Sequence, residues 1–448
     1  CVGADGIGTL YYRAPLIYLE ALKKRILQAE AHVETKISGN TGRPYLAPTR
    51  ARSEVGAIET IEIAPPDQKR DFTTTAALQM LQDPHTVSGY LIELFETPTE
   101  HVIADDPLGR RSLLQSFADL LNGLGRGARV FETPEIGRTP ILELQLTKAD
   151  EPARIENRAG LSARFPGLEL TKADIDLEPA RHEAVLSKLA SHPLVRAIRP
   201  PVRLELADQL PGIPQASVVS LPQPVPDARY PIVGVIDSGV SDVLAPWVVD
   251  QFDFLQLGEF DMEHGTSVAG LVAAGQSMNP ASIVPDQSGC MIYDAPLFPK
   301  GDFLSTYPAG FTDFLEELEQ AVKEAVSEHG VRIFNLSINA TSPVEQYRYS
   351  RYAARLDDIA DRYGVIFVNS AGNLPKNAPR SPWSKSPKAT LEYFANRTQV
   401  DTIHKPSESV RAISVGSINP PGTGQVEGAP TIYTRRGPGL QVGVKPDV

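Results

Sequence analysis

Three short stretches carry residues able to do acid–base chemistry. The first, Pro231-Ile232-Val233-Gly234-Val235-Ile236-Asp237-Ser238-Gly239, is an apolar, β-branched run that ends in a carboxylate and a turn. Such a run reads as a buried strand that delivers Asp237 to a sheet edge. In the second, from Glu263-His264-Gly265-Thr266-Ser267 to Gly275, one imidazole precedes a helix of small residues that can lie close against other backbone. A histidine at the start of a helix is favoured as neutral imidazole, the form that accepts a proton. The third, Gly364-Val365-Ile366-Phe367-Val368-Asn369-Ser370-Ala371-Gly372-Asn373, is another buried strand whose end carries an amide on a glycine turn. An acid, a base and a hydrogen-bond donor at such ends fall outside the carboxyl ends of parallel strands, where α/β sheets place their sites.

The blocks Asp237-Ser238-Gly239, His264-Gly265-Thr266-Ser267-Val268-Ala269-Gly270 and Ser370-Ala371-Gly372-Asn373, in that order, resemble the subtilisin-like serine peptidases, or subtilases. The resemblance runs from about Tyr230 to Val448. It implies an Asp-His-Ser triad in which His264 is the base and Asp237 orients and stabilises it, with the Asn373 side chain donating to the oxyanion. It also implies that the strand Asn335-Leu336-Ser337-Ile338-Asn339 pairs with the backbone of an extended polypeptide substrate. Ser337, Ile338 and Asn339, together with Ser370, Ala371 and Gly372, would flank the pocket for the residue before the scissile bond. Asn339 stands where relatives commonly have glycine.

The family's nucleophile lies in a late Gly-Thr-Ser-x-Ala segment, soon after a Lys-Pro-Asp-Val passage. Lys445-Pro446-Asp447-Val448 reaches that passage, so the serine is expected beyond Val448 and residues 1–448 alone are expected to be inactive. Gly265-Thr266-Ser267 belongs to the histidine block, and Ser267 is not read as the nucleophile. Two other classes compete with the peptidase: a non-catalytic binding or regulatory relative, with another residue at the serine position, and a nucleotide-binding α/β protein. The latter lacks Gly-x-Gly-x-x-Gly and a P-loop.

Positioning these residues requires a doubly wound parallel sheet over 230–448. Strands are expected at Ile232–Ile236, Met291–Pro296, Val331–Ser337, Val365–Asn369 and Ala412–Val415, with helices at Gly265–Ala274, Phe311–His329 and Arg348–Tyr363. Residues 207–229 are proline-rich and read as a linker. Residues 138–206 read as a small α+β, ferredoxin-like unit: strands at Ile141–Leu146, Leu168–Leu177 and Val195–Leu206 and a helix at Pro179–Ala190. Its closing passage, Leu189 to Pro200, is similar to the end of the inhibitory propeptide domains that precede subtilase cores. Residues 1–137 form an N-terminal region to which no chemistry is assigned. There, helices are expected over Leu16–Val33 and Arg110–Leu124, a strand over Ser88–Phe95 and an exposed loop over Gly39–Arg52. His32, His85 and His101 fall singly, without metal-ligand spacing.

A chain of 448 residues suffices for two or three domains, and 42% hydrophobic and 22% charged residues are ordinary for a globular protein. The net charge of −12, with no long basic run, argues against nucleic acid or an anionic membrane as partner. No apolar run approaches the roughly 20 residues of a membrane helix. Two cysteines, Cys1 and Cys290, fit a reducing, cytoplasmic compartment. Secretion stays open, because the chain starts at Cys1 rather than Met. No cofactor or metal is expected. Gln276–Ser282 stands where many subtilases have an asparagine-rich calcium loop, and Asp286 and Asp294 lack ligand spacing. Lys376–Gln399, with Trp383, reads as a loop near the cleft. The long N-terminal region, few cysteines and uncut-looking joint resemble intracellular bacterial subtilases that work with a partner protein.

Overall fold

The computed structural model describes residues 3–5, 9–12, 14, 16–30, 33–62, 66–95, 110–132, 141–157, 171–206, 221–256, 258–278, 289–308, 310–345, 348–375, 377–395, 401–419, 424–437 and 444–448. The chain divides into two units, Cys1–Lys69 and Arg70–Val448. Cys1, His32, His101, Asp286 and most of the proline-rich linker lie outside the described residues.

In the first unit, β1 (Gly3–Asp5) and β2 (Thr9–Tyr11) form one hairpin, β3 (Val33–Ile37) and β4 (Pro44–Pro48) another, with helices at Leu16–Glu30 and Arg50–Gly56. The expected loop over Gly39–Arg52 therefore contains the strand Pro44–Pro48 and the start of the helix at Arg50. Both strands of the second hairpin are almost wholly exposed. Cross-strand backbone pairing defines it, with Gly42 donating to the Ser38 carbonyl at the turn, so no apolar alternation marks it in the sequence. Thr49 caps the helix that follows, its side chain accepting from Arg52 N–H.

The second unit opens with β5 (Tyr90–Leu94), β6 (Ala128–Glu132), β7 (Ile141–Leu146), β8 (Arg154–Asn157) and β9 (Val195–Arg199), in the order β8-β6-β7-β5-β9. Helices at Arg110–Asn122 and Pro179–Ser191 connect β5 to β6 and precede β9. Leaving β8 aside as an added edge, this is the β-α-β-β-α-β order of a ferredoxin-like unit. The expected boundary between 137 and 138 thus falls inside a sheet: β5 and β6, assigned to the N-terminal region, flank β7 by antiparallel pairing. Sequence-distant strands complete one buried layer, and no local signal announces that.

Two further expectations differ here. Of the strand expected over Leu168–Leu177, 168–170 lie outside the described residues, while Lys172–Asp174 is a 3-10 turn and Ile175 makes a single bridge to Thr147. The strand expected over Val195–Leu206 breaks into β9 and β10 (Leu204–Leu206). Pro200 and Pro201 carry no N–H to continue a ladder, and β10 then joins a different sheet.

Beyond the linker come β11 (Ile232–Asp237), β12 (Val248–Gln251), β13 (Met291–Pro296), β14 (Ile333–Leu336), β15 (Ile338–Pro343), β16 (Ile366–Ser370), β17 (His404–Lys405) and β18 (Ile413–Val415). Six of these form an all-parallel sheet ordered β12-β13-β11-β14-β16-β18. The five expected strands are all present; β12 at the edge was not foreseen. The chain leaves β11 for β12 at one edge, returns to β13 and then crosses to β14 on the other side, so the winding reverses at β11. Helices Phe311–His329 and Arg351–Tyr363 pack Phe314, Leu318, Val322, Leu356 and Ile359 into one core with Ile236, Phe334 and Phe367 of the sheet. A smaller sheet ordered β10-β15-β17 lies beside it. Val87 and Leu204 of the ferredoxin-like side lie in the same core cluster as the parallel sheet.

Candidate active site

The register of the parallel sheet explains how residues far apart in sequence reach one edge. Ile236 is level with Leu336, and Leu336 with Asn369. The next residues, Asp237, Ser337 and Ser370, therefore form a row at the carboxyl ends of β11, β14 and β16. The row sits at the switch point of the winding, where open α/β sheets have their crevice.

Asp237 ends β11 fully buried, and the Ser238 N–H donates to its Oδ1 at 2.7 Å. The helix Met262–Met278 starts at Asp261, whose side chain accepts from Glu263 N–H at 3.0 Å. Its first turn touches the loop after β11. A Cβ on Gly265 would come within 2.2 Å of the Gly239 carbonyl oxygen, so only glycine permits the approach. Two bonds fasten the contact: Gly265 N–H to Ser238 Oγ at 3.2 Å, and Ser241 N–H to Thr266 Oγ1 at 2.9 Å. His264 consequently faces Asp237, with Nδ1 at 2.7 Å from Oδ1 and 2.9 Å from Oδ2. The imidazole side chain remains 15% exposed while the carboxylate is 0% exposed, so the pair opens to solvent through the ring alone. Ser267 points its hydroxyl back at the Glu263 carbonyl, 2.9 Å away.

Sequence reasoning treated Asp294 only as a scattered acid. On β13 it is buried, and its Oδ2 accepts from Val240 N–H at 3.0 Å and Gln251 Nε2 at 2.6 Å. It thus ties down the loop that follows Asp237. Burial pushes its carboxyl up to about 6, and the Asp237 charge adds to the shift. Its place in β13, level with Val235, was the available signal.

The end of β16 is equally constrained. Ala371 donates to Val415 O at 2.8 Å, His404 N–H to Ala371 O at 3.0 Å, and Arg435 N–H to Gly372 O at 3.0 Å. The Arg435 guanidinium also reaches Asn373 O, with Nε at 2.8 Å. Asn373 itself bridges Thr434. The glycine turn carrying the amide is thus fixed from two sides, at the carboxyl end of a strand two places from β11.

Ser337 is nearly buried and its Oγ accepts from Asn335 Nδ2 at 2.8 Å. Ile338 and Asn339 open β15, whose two edges are both occupied by this chain. On one side lies β10, with Leu204 opposite Ala340, Glu205 opposite Asn339 and Leu206 opposite Ile338. On the other lies β17. Both polar side-chain atoms of Asn339 are buried without a hydrogen-bond partner. The Lys376–Gln399 stretch contains the helix Pro387–Ala395, and Trp383 Nε1 donates to Pro430 O. Elsewhere, Asp250, Glu328 and His329 bring ligand atoms within 4.8 Å of one another, and His329 Nε2 lies 2.9 Å from Asp250 Oδ2. That contact is accounted for as a surface hydrogen bond between imidazole and carboxylate. Among the described residues, no helix is long and apolar enough to cross a membrane.

The model of the subtilase family matches residues 229–448. No curated protein matches the chain. Among solved structures, it is similar to the patellamide maturation protease PatA at 19% identity, over 46% of this chain and 61% of that one, with a TM-score of 0.28. It is similar to the MycP3 protease from the type VII (ESX-3) secretion system at 25% identity, over 47% and 57%, with a TM-score of 0.29. A variant of the epidermin leader peptide processing serine protease (EpiP) from Staphylococcus aureus matches at 12% identity, over 74% and 70%, with a TM-score of 0.32. The matched part thus spans about three fifths of the lengths of PatA and MycP3, at 61% and 57%.

Proposed function

Because residues 229–448 belong to the subtilase family, we propose that they act as a serine endopeptidase domain with Asp237 and His264 as two members of the triad and the serine beyond Val448. The observation that carries this reading is the 2.7 Å contact of His264 Nδ1 with a carboxylate sealed from solvent. With Nδ1–H directed at Asp237, Nε2 is the nitrogen that holds a lone pair. It takes the proton from the serine hydroxyl as Oγ bonds to the peptide carbonyl carbon and the carbonyl electrons move onto oxygen. The Asn373 amide donates to that oxyanion. The imidazolium then gives its proton to the leaving amine as the C–N bond breaks, and water, activated by the same nitrogen, releases the acyl group.

The substrate is a polypeptide whose backbone pairs with Ser337, Ile338 and Asn339, with Ser370, Ala371 and Gly372 walling the pocket before the scissile bond. The ferredoxin-like unit acts as the propeptide-like domain. Its β10 lies along Ile338–Ala340, so β10 must leave before a substrate strand can pair there.

A serine-directed fluorophosphonate applied to protein that extends through the expected serine tests the reading. Labelling is expected, with loss in His264→Ala and none in residues 1–448 alone. Intact, folded protein that takes no label would instead be a non-catalytic binding relative.

A further inference from the structure

β10 reads Leu204-Glu205-Leu206, and the acid in its middle is received by groups from the far side of β15. Glu205 Oε1 lies 2.8 Å from His404 Nδ1. The His404 side chain is only 6% exposed and belongs to β17, whose backbone holds the Ser370–Gly372 turn through His404 N–H and Ala371 O. Burial lowers the imidazole pKa, so the contact is an N–H donated by a neutral ring to a carboxylate, with the Glu205 bond opposing that shift and Arg435 adding to it. Arg435 is itself buried, and the charges of Glu205 and Asp401 counter the lowering that burial imposes on it. Opposite Glu205 in the ladder stands Asn339, whose amide nitrogen and oxygen are buried and unpartnered. One buried donor, His404, therefore meets the Glu205 carboxylate from across β15, with the Arg435 charge acting on it and an unused amide opposite it in the ladder; its other oxygen, Oε2, takes Arg203 Nη1 at 3.4 Å from just before β10. The flanking Leu204 is fully buried, and Leu206 packs half-buried against the main core.

We propose that this place is a substrate subsite for an acidic side chain: once β10 has left, His404 receives the carboxylate of a glutamate, favoured by the Arg435 charge, in a polypeptide that pairs with Ile338–Ala340, between two apolar residues. The inference rests on the reading of β15 as the substrate strand and names the substrate class that such a strand selects. A buried donor left facing an amide or a cation loses a charge-assisted bond, a discrimination of about tenfold or more.

Amide hydrogen exchange on the full chain measures how well each residue at 205 seats the strand, since exchange there follows local opening. Glu205→Gln is expected to speed exchange at Leu204–Leu206 and Ile338–Ala340 about tenfold, and Glu205→Lys further. In a His404→Leu background, Glu and Gln at 205 are expected to exchange alike. Equal exchange of parent and Glu205→Gln, or a glutamate preference that survives His404→Leu in protein that melts normally, overturns the proposal. If His404→Leu does not fold, the parent against Glu205→Gln decides. Cleavage of paired peptides carrying Leu-Glu-Leu or Leu-Gln-Leu by serine-containing protein separates the two readings. Cleavage without preference sinks the subsite and keeps the peptidase. Discrimination in exchange without cleavage of either peptide keeps the acid-accepting pocket and sinks the peptidase.

Discussion

The parallel sheet and the ferredoxin-like sheet both bury acids, but in different places. Asp237 sits at a strand end, in the row of carboxyl termini, and its partner is an imidazole that reaches solvent. Glu93 and Glu143 sit mid-strand on β5 and β7. Glu143 stands opposite Leu91, two residues before Glu93, so both acids point to one face. Burial works against ionisation of Glu93, but Arg199 and Arg196 outweigh it and hold the carboxyl at about 2. Burial pushes Glu143 up to about 8 and the Asp313 charge adds to the rise; hydrogen bonds from Gly89 N–H, the Gln145 amide and the Phe311 backbone oppose it without offsetting it, and among the described residues no cation pairs with it as with Glu93. Glu143 abuts Gly310, where a Cβ would lie 1.9 Å from its Oε1 and where φ is +70. The same residue type on one face of a sheet is thus charged or neutral according to what the neighbouring element presents.

Substitutions can break or sharpen that contrast. The largest effect belongs to the strand-end acid: Asp237→Asn in serine-containing protein is expected to lower kcat by about 10⁴ while the melting temperature barely moves. A loss of less than tenfold would make Asp237 a structural acid like the others. Glu93→Ala should do the reverse, costing about 3–5 kcal/mol in denaturant unfolding because two guanidiniums remain buried without their counter-charge. Asn373→Ala comes next, with roughly 10²–10³ lost in kcat and KM little changed.

The last effect is a slope, small over any one pH unit. Glu143 has a folded pKa of about 8 against an ordinary 4.5. Its contribution is fully present below pH 4.5 and is lost as pH rises through 8. Stability should therefore fall by up to roughly 1.4 kcal/mol per pH unit across that window, and Glu143→Gln should flatten the fall. Glu93 acts with the opposite sign, its contribution present above 4.5 and lost as pH drops toward 2. Urea titrations of parent and Glu143→Gln between pH 5 and 8 read the difference; parallel curves would show that Glu143 ionises like an exposed acid.

That Asp237 and His264 meet was legible because each lies in one contiguous apolar-strand or small-residue block, and sheet and helix ends bring them to the same edge. β12 was not, since two of its four residues, Asp250 and Gln251, are exposed and leave no buried run to read. The ferredoxin-like unit was half legible. Its second half has clear periodicity, whereas β5 is separated from β7 and β9 by long stretches and joins them only through pairing. Asp294 was read as a stray acid because its role depends on Val240 and Gln251, 54 and 43 residues away along the chain.

Order along the chain was enough to expect Asp237 and His264 at one edge, because each motif pairs a residue type with the element that carries it. It could not reveal that β15 already has a partner on each edge, or that Glu205 meets His404 across 199 residues. Backbone donors and acceptors are the same for every sequence, so which strand takes an edge is settled by the packing of whole units around it.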